Sequence, residues 1–158
     1  MRALLESGVV NPDTPTKGDE TPLCCAASGG HERVVEILLA QDLVNPDRQD
    51  YKGQTPLARA AEHGHEGVAR ILLAREEVNP DMPDKIGYTP LSRAARFGHE
   101  GVVLILLGRE EVDPDKPNNY GGTPLSAAAM GARGEVVRIL LGRGVNPTRE
   151  IVLVEHLL

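Results

Sequence analysis

Residues Gly53–Ile86 read GQTPLARAAEHGHEGVARILLAREEVNPDMPDKI, and this stretch decides the fold. The next stretch, Gly87–Tyr120, carries the same residue at 22 of its 34 positions. Thr-Pro-Leu begins at positions 21, 55, 89 and 123, and a pair of alanines follows each triplet at a constant distance. Self-similarity at a fixed period of this length is typical of proteins built from stacked structural units.

Each unit predicts two short helices. Thr55 can cap the first helix because its hydroxyl accepts a hydrogen bond from a backbone N–H of the first turn. Pro56 then occupies the first helical position, where its missing N–H costs nothing. Gly64 can adopt a positive φ and end this helix. A second helix is predicted from about residue 66 to residue 74, with an apolar face of Val68, Ile71 and Leu72.

The segment 78–84, VNPDMPD, consists of turn formers and is expected to project outward and return to the next Thr-Pro-Leu. Helices of about two turns are well below the ~12–15 residues needed for marginal stability in isolation. The apolar faces must therefore be buried against neighbouring units, at about 25 cal/mol per Å². The sequence predicts an elongated helical solenoid with projecting turns.

Composition excludes several classes of protein. The 158 residues include 17 Lys and Arg against 23 Asp and Glu, for a net charge of −6. A surface that follows phosphates needs a basic excess, so nucleic-acid binding is disfavoured. No apolar run approaches the ~18 residues of a membrane span, and the chain start lacks a signal-peptide stretch. Cys24 and Cys25 are adjacent and form no disulfide framework. These features predict a protein of the cytosol or nucleus, which we assign to the cytoplasm and which binds neither nucleic acid nor membranes.

The repeated units resemble ankyrin repeats. The resemblance rests on Gly-x-Thr-Pro-Leu, Ala-Ala, Gly-His, Val-Val and Leu-Leu, and it covers about residues 1–147. It implies an all-α, ankyrin-type helical solenoid of helix–turn–helix repeats with β-hairpin-like fingers. It also implies a concave surface of fingers and first helices that binds other proteins. The spacing and the Val-Asn-Pro-Asp loop are similar to ankyrin arrays of fungal signalling and NLR-like receptors.

The resemblance divides the chain as a single repeat domain over residues 1–158. We expect a partial N-terminal repeat and finger at 1–18, repeats at 19–52, 53–86, 87–120 and 121–147, and a C-terminal cap at 148–158. The cap is interpreted as a short helix, with a strand or a disordered segment as alternatives. Because Ala3-Leu4-Leu5 aligns with the end of a second helix, the chain is interpreted as a piece of a longer protein.

Two departures from the family pattern affect local structure. The histidine usual after Thr-Pro-Leu is replaced by Cys24, Ala58, Ser92 and Ser126. In the last unit, Gly131-Ala132-Arg133-Gly134 replaces Gly-His-Glu-Gly, so the turn between its helices is expected to shift.

Repeated polar residues are interpreted as structural. Three histidines share one repeat position and are expected to bond to loop backbone: His31, His65 and His99. Three aspartates follow proline in identical turns and are expected to cap them: Asp47, Asp81 and Asp115. His63 and His65 lack a third ligand at metal spacing. No nucleotide-binding or hydrolase motif occurs. The sequence therefore predicts no catalytic residue, no cofactor and no metal.

Candidate partner-binding residues are those that vary at the finger tips and at the ends of the first helices. They are Tyr51, Lys52, Gln54, Glu62, His63, Lys85, Ile86, Tyr88, Arg96, Phe97, Asn119, Tyr120 and Met130. Tyrosine is favoured at interface hot spots, although finger tyrosines can instead pack on neighbouring fingers. Arg59 and Arg93 either form a basic stripe with Arg96 or pair with Glu62 and neighbouring carboxylates.

The leading hypothesis is a non-catalytic protein–protein interaction module, monomeric, within a larger cytosolic signalling or scaffold protein. One alternative is a stand-alone inhibitor of an enzyme such as a kinase. Others are the ankyrin part of a multidomain enzyme and a designed array of near-identical units.

Overall fold

The computed structural model describes residues 10–143, which form helices joined by turns, with no strand among them. The helices are α1 (Pro22–Ser28), α2 (Glu32–Leu39), α3 (Pro56–His63), α4 (Glu66–Leu73), α5 (Pro90–Phe97), α6 (Glu100–Leu107), α7 (Pro124–Met130) and α8 (Gly134–Gly142). Residues 1–9 of the expected N-terminal repeat and the expected cap at 148–158 lie outside the described residues. None of the described helices is long and apolar enough to cross a membrane.

The helices pack in two rows. The first helices of the repeats, α1, α3, α5 and α7, lie side by side, and so do the second helices, α2, α4, α6 and α8. Each first helix also packs against the second helix of its own repeat. The predicted all-α helical solenoid is confirmed, because successive units repeat the same contacts along the chain instead of surrounding one centre.

Each first helix begins at the expected threonine. The backbone N–H of Ala58 donates to Thr55 Oγ1 at 3.1 Å, and Thr55 itself is extended, with φ −77° and ψ 164°. Pro56 follows in the first turn. The same cap forms at Thr21, Thr89 and Thr123. The hydroxyl fills one of the four N–H positions that a helix start leaves unpaired.

A left-handed residue follows each first helix at the same repeat position. Gly64 has φ +76° and Gly98 has φ +80°. In the last unit Ala132, 34 residues after Gly98, adopts φ +54°. The turn therefore stays in register there, and the expected shift is wrong. The conformation is dictated by the connection between two packed helices, so a residue with a Cβ is forced into it.

The core is a continuous column of small and medium apolar side chains. Leu57 and Leu91 are completely buried, as are the alanine pairs that follow them. Alanine lets neighbouring first helices lie close together. Val68, Val102 and Val136 fill the equivalent place in successive second helices. Because these side chains contact the next repeat, their burial stabilises the array instead of any single unit.

The proline-containing loops are linked to one another by carboxylates. The cap of each turn comes from the residue before proline: Asn45 Oδ1 accepts the N–H of Asp47 at 3.0 Å, and Asn79 Oδ1 that of Asp81 at 3.0 Å. Asp47 Oδ2 instead accepts the N–H of Asn79 at 2.7 Å, and Asp81 Oδ2 accepts from Lys116 Nζ at 3.0 Å. The expectation that Asp47 and Asp81 cap their own turns is therefore wrong, because each reaches the following loop. Burial raises the pKa of both carboxyls.

Candidate binding face

Four fingers, residues 16–20, 50–54, 84–88 and 118–122, share one tight turn. In the second finger, the N–H of Asp50 donates to Gln54 O at 3.0 Å, and the N–H of Gly53 donates to Asp50 O at 2.8 Å. Gly53 has φ +78°, and Asp19, Gly87 and Gly121 are also left-handed at this place. The turn is hairpin-like, as expected, although it is too short to form a strand ladder.

The second and third fingers are each held by a buried aspartate of their own. Asp84 Oδ1 accepts the N–H of Ile86 at 3.0 Å and that of Tyr88 at 2.9 Å. Asp50 Oδ1 does the same for Lys52 and Gln54, at 2.8 and 2.9 Å. One carboxylate oxygen therefore satisfies two backbone donors that the turn leaves unpaired.

The second oxygen of each aspartate meets an arginine of the adjoining first helix. Arg93 Nε donates to Asp84 Oδ2 at 3.1 Å, and Arg59 Nε lies 3.4 Å from Asp50 Oδ2. Arg59 also pairs with Glu20 of the preceding finger. Of the two expectations for these arginines, pairing with carboxylates is confirmed. Neither aspartate side chain is exposed to solvent. The ion pairs are therefore shielded from water and hold each finger against its helix.

Neighbouring fingers are joined by backbone hydrogen bonds. The N–H of Lys85 donates to Lys52 O at 3.1 Å, and the N–H of Asn119 donates to Ile86 O at 3.0 Å. Side chains add to this link, since Lys85 Nζ donates to Tyr51 O at 2.5 Å. The three finger tips therefore form one continuous row.

Two candidate residues are not on the surface. Gln54 is 0% exposed and donates to Glu62, and Tyr88 is 9% exposed. Two guanidinium groups lie close to the Tyr88 ring, with the Arg93 Cζ 5.0 Å from its centroid and Arg96 donating to its hydroxyl at 3.2 Å. The expectation that both residues are open to a partner is wrong. Their shared repeat position, directly after the left-handed glycine, turns the side chain toward the first helix.

The other candidates lie on one face. We define the finger–helix face as the tips of the second to fourth fingers with the C-terminal ends of α3, α5 and α7. Its exposed members are Tyr51, Lys52, His63, Lys85, Ile86, Phe97, Asn119, Tyr120 and Met130, and its half-buried members are Glu62 and Arg96. Tyr120 and Met130 are the most exposed large apolar side chains among residues 10–143, at 74% and 71%.

Repeated histidines join the successive units below this face. His65 Nε2 lies 2.9 Å from Ser28 O, and His99 Nε2 lies 2.8 Å from Glu62 O. The predicted bond from imidazole to backbone is confirmed for these two, but the acceptor lies in the last turn of the preceding repeat's first helix and not in a loop. In the last unit Arg133 takes over the role, with Nε donating to Arg96 O at 3.3 Å.

The cysteines differ in their surroundings. Cys24 is buried, its Sγ donates to Arg48 O at 3.6 Å, and burial raises the pKa of its thiol. Cys25 is exposed, and both thiols are free. No group of three or more metal-ligating side chains comes together between residues 10 and 143.

Asp50 and Asp84, the aspartates paired with Arg59 and Arg93, were not among the residues selected from the sequence. A signal for them does exist in the repeats. Asp50 and Asp84 are each followed nine residues later by an arginine, and the fourth unit has Asn118 and Ala127 at these two places. Both partners change in the same unit, as expected for residues in contact.

One family model matches the chain, and its description is "Ankyrin repeats (3 copies)". The matched residues are 1–84 and 74–151, which together cover nearly the whole sequence. A search of curated proteins gave no match.

Proposed function

The chain belongs to the ankyrin repeat family, and we propose that it is a non-catalytic module that binds a protein partner through the finger–helix face. Ankyrin repeats are generally protein–protein interaction modules. The proposal concerns which surface of this chain does the binding.

The exposure of Tyr120 and Met130 is the observation that carries the proposal. Large apolar side chains that protrude from a rigid surface act as anchors at interfaces, where a few of them supply most of the binding energy. Their frame is rigid, because backbone hydrogen bonds join the finger tips and neighbouring first helices pack together. A pre-organised surface loses little conformational entropy when a partner binds.

Tyr120→Ala with Met130→Ala tests the proposal directly. The double variant and the unmodified chain are used to capture proteins from a lysate of the source cell, and the captured proteins are identified by mass spectrometry. Affinity for a purified captured protein is then measured by calorimetry. We expect the double variant to bind at least tenfold more weakly, because hot-spot truncations cost about 2 kcal/mol or more each.

The matched control is Leu104→Ala, an exposed leucine on the second helix α6 that lies away from the fingers. It removes exposed apolar surface and should leave binding unchanged. Thermal unfolding of all variants should stay close to that of the unmodified chain. If Leu104→Ala weakens binding as much as the double variant, the partner does not use the finger–helix face. Tyr88 is unsuitable for this test, because its truncation would disturb the two arginines that pack on it.

The proposal extends to the setting of the module. We place it as a monomer in the cytoplasm, in a larger signalling or scaffold protein that binds neither nucleic acid nor membranes. Support for a reducing compartment comes from the sequence, whose two adjacent cysteines form no disulfide framework. A stand-alone enzyme inhibitor and a part of a multidomain enzyme are the alternatives, and both would use the same face. The identity of the captured partner distinguishes them.

A further inference from the structure

The finger–helix face and the chain as a whole carry charge of opposite sign. The chain has a net charge of −6. On this face, however, three cationic side chains make no ion pair with another described residue: Lys52, Lys85 and Arg96. Lys52 lies 5.5 Å from the Tyr51 ring centroid, Lys85 donates to a carbonyl, and Arg96 donates to a tyrosine hydroxyl. Their charge is therefore available to a partner.

Each carboxylate beside these cations already contacts an arginine. Arg59 is shared by Glu20 and Asp50, and Arg93 is shared by Glu62 and Asp84. Asp50 and Asp84 are buried and bound to arginines, and Glu62 contacts both Gln54 and Arg93. Exposed acidic residues are common instead on the second helices and on the loops that follow them, as at Glu66, Glu76, Glu77, Glu110 and Glu111. Exposed arginines also occur on the second helices, as at Arg33 and Arg138, but the exposed residues of the second to fourth finger tips include lysines and no carboxylate.

The spacing of the fingers fits an extended chain. Neighbouring packed helices lie about 8–10 Å apart, and the fingers follow the helices in a row tied by the bonds from Lys85 to Lys52 and from Asn119 to Ile86. A peptide in the extended polyproline II conformation advances about 3.1 Å per residue and has about three residues per turn, so side chains three residues apart point the same way. About three residues of peptide therefore span the step from one finger to the next.

From these observations, and resting on the proposed function, we propose that the partner presents an extended acidic peptide to this face. Carboxylates about three residues apart would meet Lys52 and Lys85 in turn, with Arg96 beside them. An apolar side chain of the peptide would pack on Tyr120 and Met130. The net charge of −6 favours a peptide over a nucleic acid, because the chain as a whole repels a continuous row of phosphates.

Three fluorescein-labelled peptides of fifteen residues test the inference by fluorescence anisotropy with the full chain. They are Glu-Phe-Ser, Gln-Phe-Ser and Lys-Phe-Ser, each repeated five times. We expect the acidic peptide to bind at least tenfold more tightly than the neutral one at 50 mM salt, and the basic peptide to bind most weakly. Raising the salt concentration should reduce the preference, because exposed charges are screened.

Lys52→Glu with Lys85→Glu should abolish the preference for the acidic peptide. The control is Arg33→Glu with Arg138→Glu, which changes the net charge by the same amount at exposed arginines of second helices. The control should keep the preference, and circular dichroism should show that both variants are folded. Equal losses in the two variants would mean that the peptide senses only overall charge, which overturns the inference.

The other outcomes separate this inference from the proposed function. If the neutral peptide binds as tightly as the acidic one and Tyr120→Ala with Met130→Ala weakens both, the face binds peptides but does not select acidic ones. If none of the peptides binds, or if a fifteen-nucleotide thymidine strand binds more tightly than the acidic peptide, the inference is also overturned. The proposed function itself fails if a captured protein partner ignores the substitutions at Tyr120 and Met130, or if Leu104→Ala weakens its binding as much.

Discussion

The third and fourth fingers form the same turn with different chemistry. Asp84 and Asn118 each use Oδ1 to accept two backbone N–H groups, at distances between 2.9 and 3.0 Å. Asp84 has a second oxygen that binds Arg93, whereas Ala127 stands at the arginine position of the fourth unit. The turn needs one oxygen acceptor and no charge. The charge is needed only where an arginine fixes the finger to its helix.

The last repeat also differs from the preceding ones at the left-handed residue that follows the first helix. A Cβ on Gly98 would lie 2.6 Å from Arg133 Cδ, and one on Gly64 would lie 2.4 Å from His99 Nδ1. The left-handed position of the last unit is occupied by Ala132. Gly64 and Gly98 must therefore be glycine for two reasons. One is the left-handed backbone angle, and the other is the side chain of the following repeat, which occupies the place of a Cβ. Ala132 shares only the first of these.

The largest expected effect comes from giving the third finger the chemistry of the fourth. Asp84→Asn keeps the oxygen that holds the turn but leaves Arg93, whose side chain is 15% exposed, without its main carboxylate. We expect the free energy of unfolding in urea to fall by about 2–3 kcal/mol, because breaking a buried ion pair leaves an uncompensated charge.

Adding Arg93→Ala completes the exchange and should restore at least about 1 kcal/mol, since removing both partners of such a pair is far less costly than removing one. The reverse change, Asn118→Asp, is the control that adds a carboxylate without an arginine. A double variant as unstable as Asp84→Asn would contradict this account, because Arg93 would then stabilise the fold through Glu62 or Tyr88 even without its aspartate.

A smaller effect is expected from the residues that link the repeats. His99→Ala removes the contact with Glu62 O and the ring that packs on Gly64. It should lower the free energy of unfolding by about 1–2 kcal/mol, because the carbonyl loses its partner. Arg133→Ala removes a longer bond at an exposed side chain and should cost less than about 0.5 kcal/mol. Equal losses in the two variants would contradict the difference between these regions.

The smallest expected effect is a gain in stability. Ala132→Gly relieves a left-handed alanine, which costs roughly 1–2 kcal/mol in that conformation, but it also makes the unfolded chain more flexible. We expect a net increase of about 0.5 kcal/mol, seen as a higher midpoint of thermal unfolding. Gly98→Ala, the matched exchange in the preceding unit, should lower the midpoint. A lower midpoint for Ala132→Gly would mean that the alanine side chain packs usefully.

The helices and their ends were predictable from the sequence, because the interactions that set them lie within a few residues. Thr55 caps a helix whose capping N–H is three residues away, and Gly64 ends that helix with its own backbone angle. The regular spacing of the repeats along the sequence also predicts that the units stack, because apolar faces that recur at this spacing can be buried only against each other. The role of His65 and His99 followed from their recurrence.

The composition of the finger–helix face was decided by tertiary structure. Gln54 and Tyr88 vary between repeats, as surface residues do, yet both are buried against a first helix. Arg59 reaches Glu20, 39 residues earlier, and Arg93 reaches Glu62 of the preceding repeat. Such contacts depend on how one unit sits on the next, which residue identity does not specify. The sequence by itself therefore determined the repeated unit through local bonds and periodic burial. Only the packing between units decided which side chains and charges stay free for a partner.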